Sequence, residues 1–255
     1  MDNTITALQN LYVALGGSAS DVENLNIIPD MINAIATLKS NTMSTFYVDA
    51  VNGSDDNDGS STAAFATIAK AIASAQMTTG AIINVAAGTY NENVIEVRGN
   101  VAVSVRGAAA DTTIINGRFN IDRGAYLNIQ NVTIAGTTTT SNALVWAYEQ
   151  GDVYMSNCTL TPTTGNAILA ASGSEIVAVN VTINGSSGYP ARVSGFGEAK
   201  LRGCTSTLAS GAVAATSGAI YIDNCTGITY TAQTQACVYV DGLQVEPQAT
   251  QTTQG

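Results

Sequence analysis

The chain has 255 residues, a net charge of −10, only 11% charged residues and no histidine. That length holds one large domain and a small one. Nine Lys and Arg leave no basic stripe for nucleic acid, no apolar run is long enough to span a membrane, and the lack of His excludes His-based triads and His metal sites. Gly, Thr, Ser, Ala and Asn are plentiful, a composition suited to many tight turns. The opening MDNTITALQN lacks the basic start of a secretory leader, so export by that route is not expected.

Residues 1–40 read as helical. Ile5, Leu8, Leu11, Tyr12 and Leu15 fall at helical spacing, and Gly16–Gly17 stops the run. Pro29 stands where a second helix can begin, with Ile28, Met31, Ile32, Ile35 and Leu38 as its apolar face. Two helices this short cannot bury their own faces. They must pack on copies of themselves, on the rest of the chain, or on a larger partner. The stretch ITALQNLYVALGGSASDVENLNIIPDMINAIATL resembles the N-terminal modules of bacteriophage virion fibre proteins, the head fibres in particular. The resemblance implies attachment to a phage capsid or another virion protein, a homotrimer with a projecting β-rich part, and a place on the virion surface after assembly in the host cytoplasm. A helical hairpin capping the β-region is the plainer reading of the same residues.

Residues 41–45 make a polar linker, and Phe46–Ala50 reads as a strand. VNGSDDNDGSS follows, then a predicted helix from about Ala63 to Ala75. The order FYVDAVNGSDDNDG, FATIAKAIASA, INVAAGTY is similar to the opening of many extracellular and phage β-helices. In those the helix plugs the first coil and covers an open sheet edge. Two irregular coils follow, INVAAGTYNENVIEV and AVSVRGAAADTTIING. Asp56 and Asp58 sit in a turn faintly like a calcium loop. The residue six beyond Gly59 is Phe65 where such a loop needs Glu, so an acidic turn without metal is the simpler reading.

From Ala125 to Gly242 one pattern recurs five times, at spacings of 26, 23, 23 and 21 residues. The anchors are Asn131, Asn157, Asn180, Gly203 and Asn224. Apolar or small residues stand four and two places before each anchor. Val132, Cys158, Val181, Cys204 and Cys225 stand one place after, and Thr two places after in every case. Alternation before the anchor gives a strand with one buried face. The alternation then slips by one residue, so the strand must bend there. Asn and Gly tolerate the left-handed backbone that such a bend needs, and stacked Asn side chains can form a ladder. The pattern resembles the right-handed β-helix of the pectate-lyase superfamily over about residues 45–242. The expected fold is mainly β: a single-stranded right-handed parallel β-helix of about seven coils, about 35 Å long at about 4.8 Å per coil, with a small N-terminal helical attachment module. Cys158, Cys204 and Cys225 read as small core residues on one inward column. Residues 243–255 read as a flexible tail.

Five residues before their anchors stand Asp152, Glu175 and Glu198, which a β-helix stacks on consecutive coils. Carboxyls about 5–5.5 Å apart suit a retaining glycosidase, stacked like charges raise one pKa, and phage tailspikes that cut polysaccharide use acidic pairs on such rods. Solvated turn acids are the plainer account. Trp146 is the one Trp, and the column shows no flanking aromatic wall; Glu149 widens the acidic patch. Lys200, Arg202 and Arg192 are the only basic residues of the later coils, and a salt-bridged surface accounts for Lys200 and Arg202 beside Glu198. The expected function is a non-catalytic phage head fibre or capsid decoration protein, needing no cofactor, whose β-helix adheres to host surface or glycan. The alternative is a tailspike depolymerase working through Asp152, Glu175 and Glu198.

Overall fold

The computed structural model describes residues 43–245, apart from 79, 139–140, 186, 215–216 and 233–235. The chain divides into two units between Met43 and Ser44. The apolar helical faces of residues 1–40, with Leu8, Leu11, Tyr12, Leu15, Ile28, Met31, Ile32 and Ile35, lie outside the described residues.

The second unit starts with β1 (Ser44–Val48) and leaves the stack for α1 (Ile68–Ala75). It then winds in turns: β2 (Gly80–Val85) and β3 (Gly88–Arg98), then β4 (Ala102–Gly107) and β5 (Thr113–Asp122). The next turns are β6 (Tyr126–Gln130), β7 (Thr133–Gly136) and β8 (Ala143–Ala147), then β9 (Asp152–Ser156), β10 (Thr159–Pro162) and β11 (Asn166–Ala171). They continue with β12 (Glu175–Val179), β13 (Thr182–Ile183) and β14 (Tyr189–Ser194), then β15 (Glu198–Arg202), β16 (Thr205–Ser206) and β17 (Ala212–Ala214). The last elements are β18 (Ala219–Asp223), β19 (Tyr230–Ala232), β20 (Cys237–Val240) and β21 (Leu243–Val245).

Three faces result. The first is the stack β1-β2-β4-β6-β9-β12-β15-β18-β20, parallel throughout. The second is β7-β10-β13-β16, and the third is β8-β11-β14-β17-β19. Both spring from the long strand β5, which pairs with β7 through Ile114–Asn116 and with β8 through Phe119–Ile121. The molecule is a right-handed parallel β-solenoid of about six full turns. The seventh, shorter turn keeps only an isolated Thr205–Thr226 bridge on the second face.

The inward columns hold the core. Val103, Leu127, Val153, Ile176, Ala199, Ile220 and Val238 form one, and Val105, Ile129, Met155, Ala178, Leu201 and Ile222 the next, all buried. Burying a side chain as large as Val, Leu or Ile contributes about 1.5–3 kcal/mol relative to exposure. The slip in alternation falls on a left-handed residue each time: φ is 57° at Asn131, 53° at Asn157, 54° at Asn180, 60° at Gly203 and 51° at Asn224. The anchor N–H groups bond to the carbonyls of Ser156, Val179, Arg202 and Asp223 in the next coil, at 2.9–3.3 Å for the first four anchors. Among the described residues no side-chain hydrogen bond joins one anchor Asn to the next, so the ladder runs through the main chain.

Two boundaries differ from the sequence reading. The helix starts at Ile68 rather than near Ala63, because Thr67 is its N-cap: its hydroxyl accepts the Lys70 N–H at 3.1 Å. The Asp55 carboxylate fixes the entry by accepting the Ala66 and Thr67 N–H groups, and Phe65 bridges to Val48 instead. The tail starts later than Leu243, because β21 pairs antiparallel with β20, Val240 opposite Leu243. The two loop residues, Asp241 and Gly242, have φ of 47° and 78°; Asp-Gly is one of the pairs that a type I′ hairpin turn favours, because both positions need a positive φ. Residues 246–255 lie outside the described residues. The coils also shorten: Ile220 lies opposite Val238, an advance of 18 residues, whereas Leu127 lies opposite Val153, an advance of 26.

Candidate functional site

Stacking turns residues far apart in sequence into neighbours on the outer side of the first face. One outward column reads Tyr126, Asp152, Glu175, Glu198, Ala219, Cys237. The next reads Asn128, Tyr154, Val177, Lys200, Tyr221, Tyr239. The three acids therefore occupy consecutive rungs. Asp152 is engaged by the main chain, its Oδ1 accepting the Glu175 N–H at 2.9 Å.

The Lys200 ammonium sits between the two glutamates. It donates to Glu175 Oε1 and lies 3.3 Å from Glu198 Oε2. The hydrogen bond to Glu175 holds the Lys200 pKa above the usual lysine range. An interposed cation offsets the repulsion between stacked carboxylates, and that repulsion is what a catalytic carboxyl pair uses to keep one proton. Lys200 also lies 5.6 Å from the ring centroid of Tyr221, whose ring stacks on Tyr239 at 4.6 Å with 6° between planes.

The absence of an aromatic wall, read from the sequence, is corrected here. Tyr126 continues the acidic column and is 43% exposed, and Tyr154, Tyr221 and Tyr239 line the column beside it. Rung register, invisible in a single sequence, brings them together. Phe196 adds a further ring: it is 76% exposed, two residues before Glu198, with a left-handed φ of 64°. Trp146 lies elsewhere, on the third face between Asn120 and Leu169, 4.7 Å from the Tyr148 ring.

The other sequence candidates have local partners. Glu149 pairs with Arg123 at 3.9 Å, and Arg202 with Asp223 at 3.8 Å; exposed pairs of this kind contribute little. Arg192 stands on the third face, away from the acids. Asp58 accepts the Ser60 N–H at 2.9 Å, and this bond lowers its pKa; the Asp56 N–H donates to Ser54 Oγ at 3.3 Å. Among the described residues no group of three or more His, Cys, Asp or Glu is placed to hold a metal ion.

All four cysteines are free. Cys158 is buried in the inward column, and burial pushes its thiol up to about 11. On adjacent rungs, the Cys204 N–H points at Cys225 Sγ at 3.4 Å. Hydrogen bonds from Cys204 draw the Cys225 thiol downward.

Fold and site together define a parallel β-solenoid that displays an acid-and-tyrosine strip on its first face. The chain belongs to the family described as protein of unknown function (DUF1565), whose model matches residues 51–236. Among solved structures it is similar to a rhamnogalacturonan lyase, at 11% identity and a TM-score of 0.35 over 74% of this chain and 74% of that one. At that distance the lyase activity is a property of that enzyme alone. No curated protein matches the chain.

Proposed function

We propose that this chain is a non-catalytic virion fibre or decoration protein whose first face adheres to a surface glycan. The observation that supports adhesion is the placement of Lys200 between Glu175 and Glu198, with Tyr221 beside it. The pair is arranged as an ion-paired surface, and the tyrosines offer flat faces on which sugar rings stack. Residues 1–40 attach the protein to the capsid or to another virion protein, on the strength of the resemblance between Ile5–Leu38 and head-fibre modules. In this reading the assembly is a homotrimer on the virion surface, put together in the host cytoplasm.

A depolymerase is the second reading, favoured by the consecutive rungs of Asp152, Glu175 and Glu198. One assay separates the two. The full chain is incubated with isolated surface polysaccharide, and both retention of the polysaccharide and new chain ends are measured. Adhesion predicts retention with no new ends, and no change in ends for Glu175→Gln or Glu198→Gln. New ends that disappear in both variants would establish the depolymerase. Antibody labelling of intact virions tests attachment, and absence of label on any virion would refute it.

A further inference from the structure

A cleft of about 540 Å³ opens away from the first face, where the long strands turn from the second face to the third. Its described lining includes Glu92, Asn93, Asn116, Arg118, Thr137 and Thr163. Two local features make the space. The pairing of β3 with β5 shifts register between Asn91 and Val94. Gly117 and Gly136 leave the floor bare; a Cβ on Gly117 would lie 3.0 Å from the Glu92 backbone oxygen.

We propose that this cleft binds a singly charged, hydroxyl-rich carboxylate, that is, a sugar acid, through Arg118. Among the described residues the buried Arg118 Nε has no hydrogen-bond partner, and Arg118 takes part in none of the ion pairs. A buried donor without a partner carries a penalty that an arriving acceptor relieves. A guanidinium presents paired N–H groups matched to a carboxylate. The rest of the described lining includes neutral amides and hydroxyls, from Asn93, Asn116, Thr137 and Thr163, which suit a polyhydroxyl body rather than an apolar one.

The charge balance favours one negative charge over two. Among the described residues Arg118 is the only cationic side chain lining the cleft, and Glu92 is its acidic neighbour. The Glu92 carboxylate is already engaged, accepting the Ile68 N–H at 2.7 Å at the start of α1. Burial raises its pKa. With a chain charge of −10, casual anion binding is disfavoured, so affinity here has to come from the site itself. The proposal does not depend on the first-face strip.

The test titrates the full chain with sodium glucuronate, glucose and sodium acetate at one ionic strength, following the side-chain amide NMR signals of Asn93 and Asn116. Saturable shifts are expected with glucuronate, with glucose and acetate each at least about tenfold weaker, a difference of about 1.4 kcal/mol. Arg118→Gln should weaken glucuronate by at least about tenfold with its melting temperature unchanged, since Arg118 has no hydrogen bond or ion pair to lose among the described residues. Thr163→Val, which keeps the charge, should weaken it about two- to fivefold. Arg123→Gln, which removes an exposed cation outside the cleft, should bind as the native chain does. Binding by Arg118→Gln within about twofold of native, or equal binding of glucose or of acetate, would overturn the proposal.

Discussion

The N–H of Asn224 donates to the Asp241 side chain, with Oδ1 at 2.9 Å. In earlier coils the same anchor N–H finds a main-chain carbonyl of the coil above. At the end of the stack a carboxylate therefore takes the place of a backbone oxygen, and the same residue opens the hairpin that folds β21 back. Asp241→Ala should lower the melting temperature by about 2–4 °C, with Asp241→Asn recovering most of it. Thermal unfolding followed by circular dichroism checks this; no loss in the Ala variant would show that water serves the Asn224 N–H equally well.

Alkaline pH should release the Lys200 clamp. Its folded pKa is raised above an unfolded value of about 10.4. The stabilisation is then complete below the unfolded pKa and is lost as pH rises through the folded one. Because the partners are partly exposed, the clamp contributes less than about 1 kcal/mol. Urea midpoints measured across the range above the unfolded lysine pKa should fall more steeply for the native chain than for Lys200→Met. Parallel curves would show that the clamp carries no net stability.

Phe196 holds a left-handed backbone and an exposed ring at once. Phe196→Gly should stabilise the fold by about 0.5–1 kcal/mol, the residue's strain outweighing the flexibility that glycine adds to the unfolded chain. If the ring is a sugar platform, glycan retention should fall in the same variant. A variant both more stable and equally adhesive would remove Phe196 from the binding surface.

Thiol labelling should distinguish the cysteines by place. Cys225 and Cys237 are half-buried, Cys158 and Cys204 buried. Maleimide should modify Cys225 and Cys237 in the native protein and reach Cys158 only on unfolding, its thiol being pushed up by burial. Mass mapping of the labelled peptides reads this directly, and early labelling of Cys158 would mean that the coil around it opens locally.

Met155 fills the middle of an inward column with no exposed surface. Met155→Ala should cost about 2–5 kcal/mol, measured by urea unfolding. A loss near zero would mean that the coils above and below close over the gap.

The fold was legible because its rule is local. The one-residue slip of alternation at Asn131, Asn157, Asn180, Gly203 and Asn224 marks a bend in any one coil, and repetition makes it a stack. The site was legible only in part. Asp152, Glu175 and Glu198 share an offset from their anchors, so their stacking could be read. Tyr126 stands at that same offset but changes chemistry, and Lys200 looks like a neighbour of Glu198 until the rung register joins it to Glu175. The start of α1 was missed because Ala63 and Ala64 are good helix formers, whereas Thr67 and the distant Asp55 set the boundary. The Asp241–Gly242 turn carried a signal in its dipeptide alone. The Arg118 cleft carried none, since it arises from a register shift in one strand and two bare glycines in others.

The shortening of the coils makes the molecule unequal along its length. Each coil touches mainly its neighbours, so stability in such a stack is a sum of adjacent terms. The last turn keeps only the isolated Thr205–Thr226 bridge on the second face, and the stack thins just before it, with Ala199 where earlier coils have Leu127 and Ile176, and Ser206 where they have Ile134, Leu160 and Ile183. Opening should therefore begin at β18–β20 and proceed toward β2. Protection from hydrogen exchange would fall in that order. The earliest coils, which build the Arg118 cleft, would be the last to lose their shape, so partial melting would erase the lysine clamp while leaving the cleft intact.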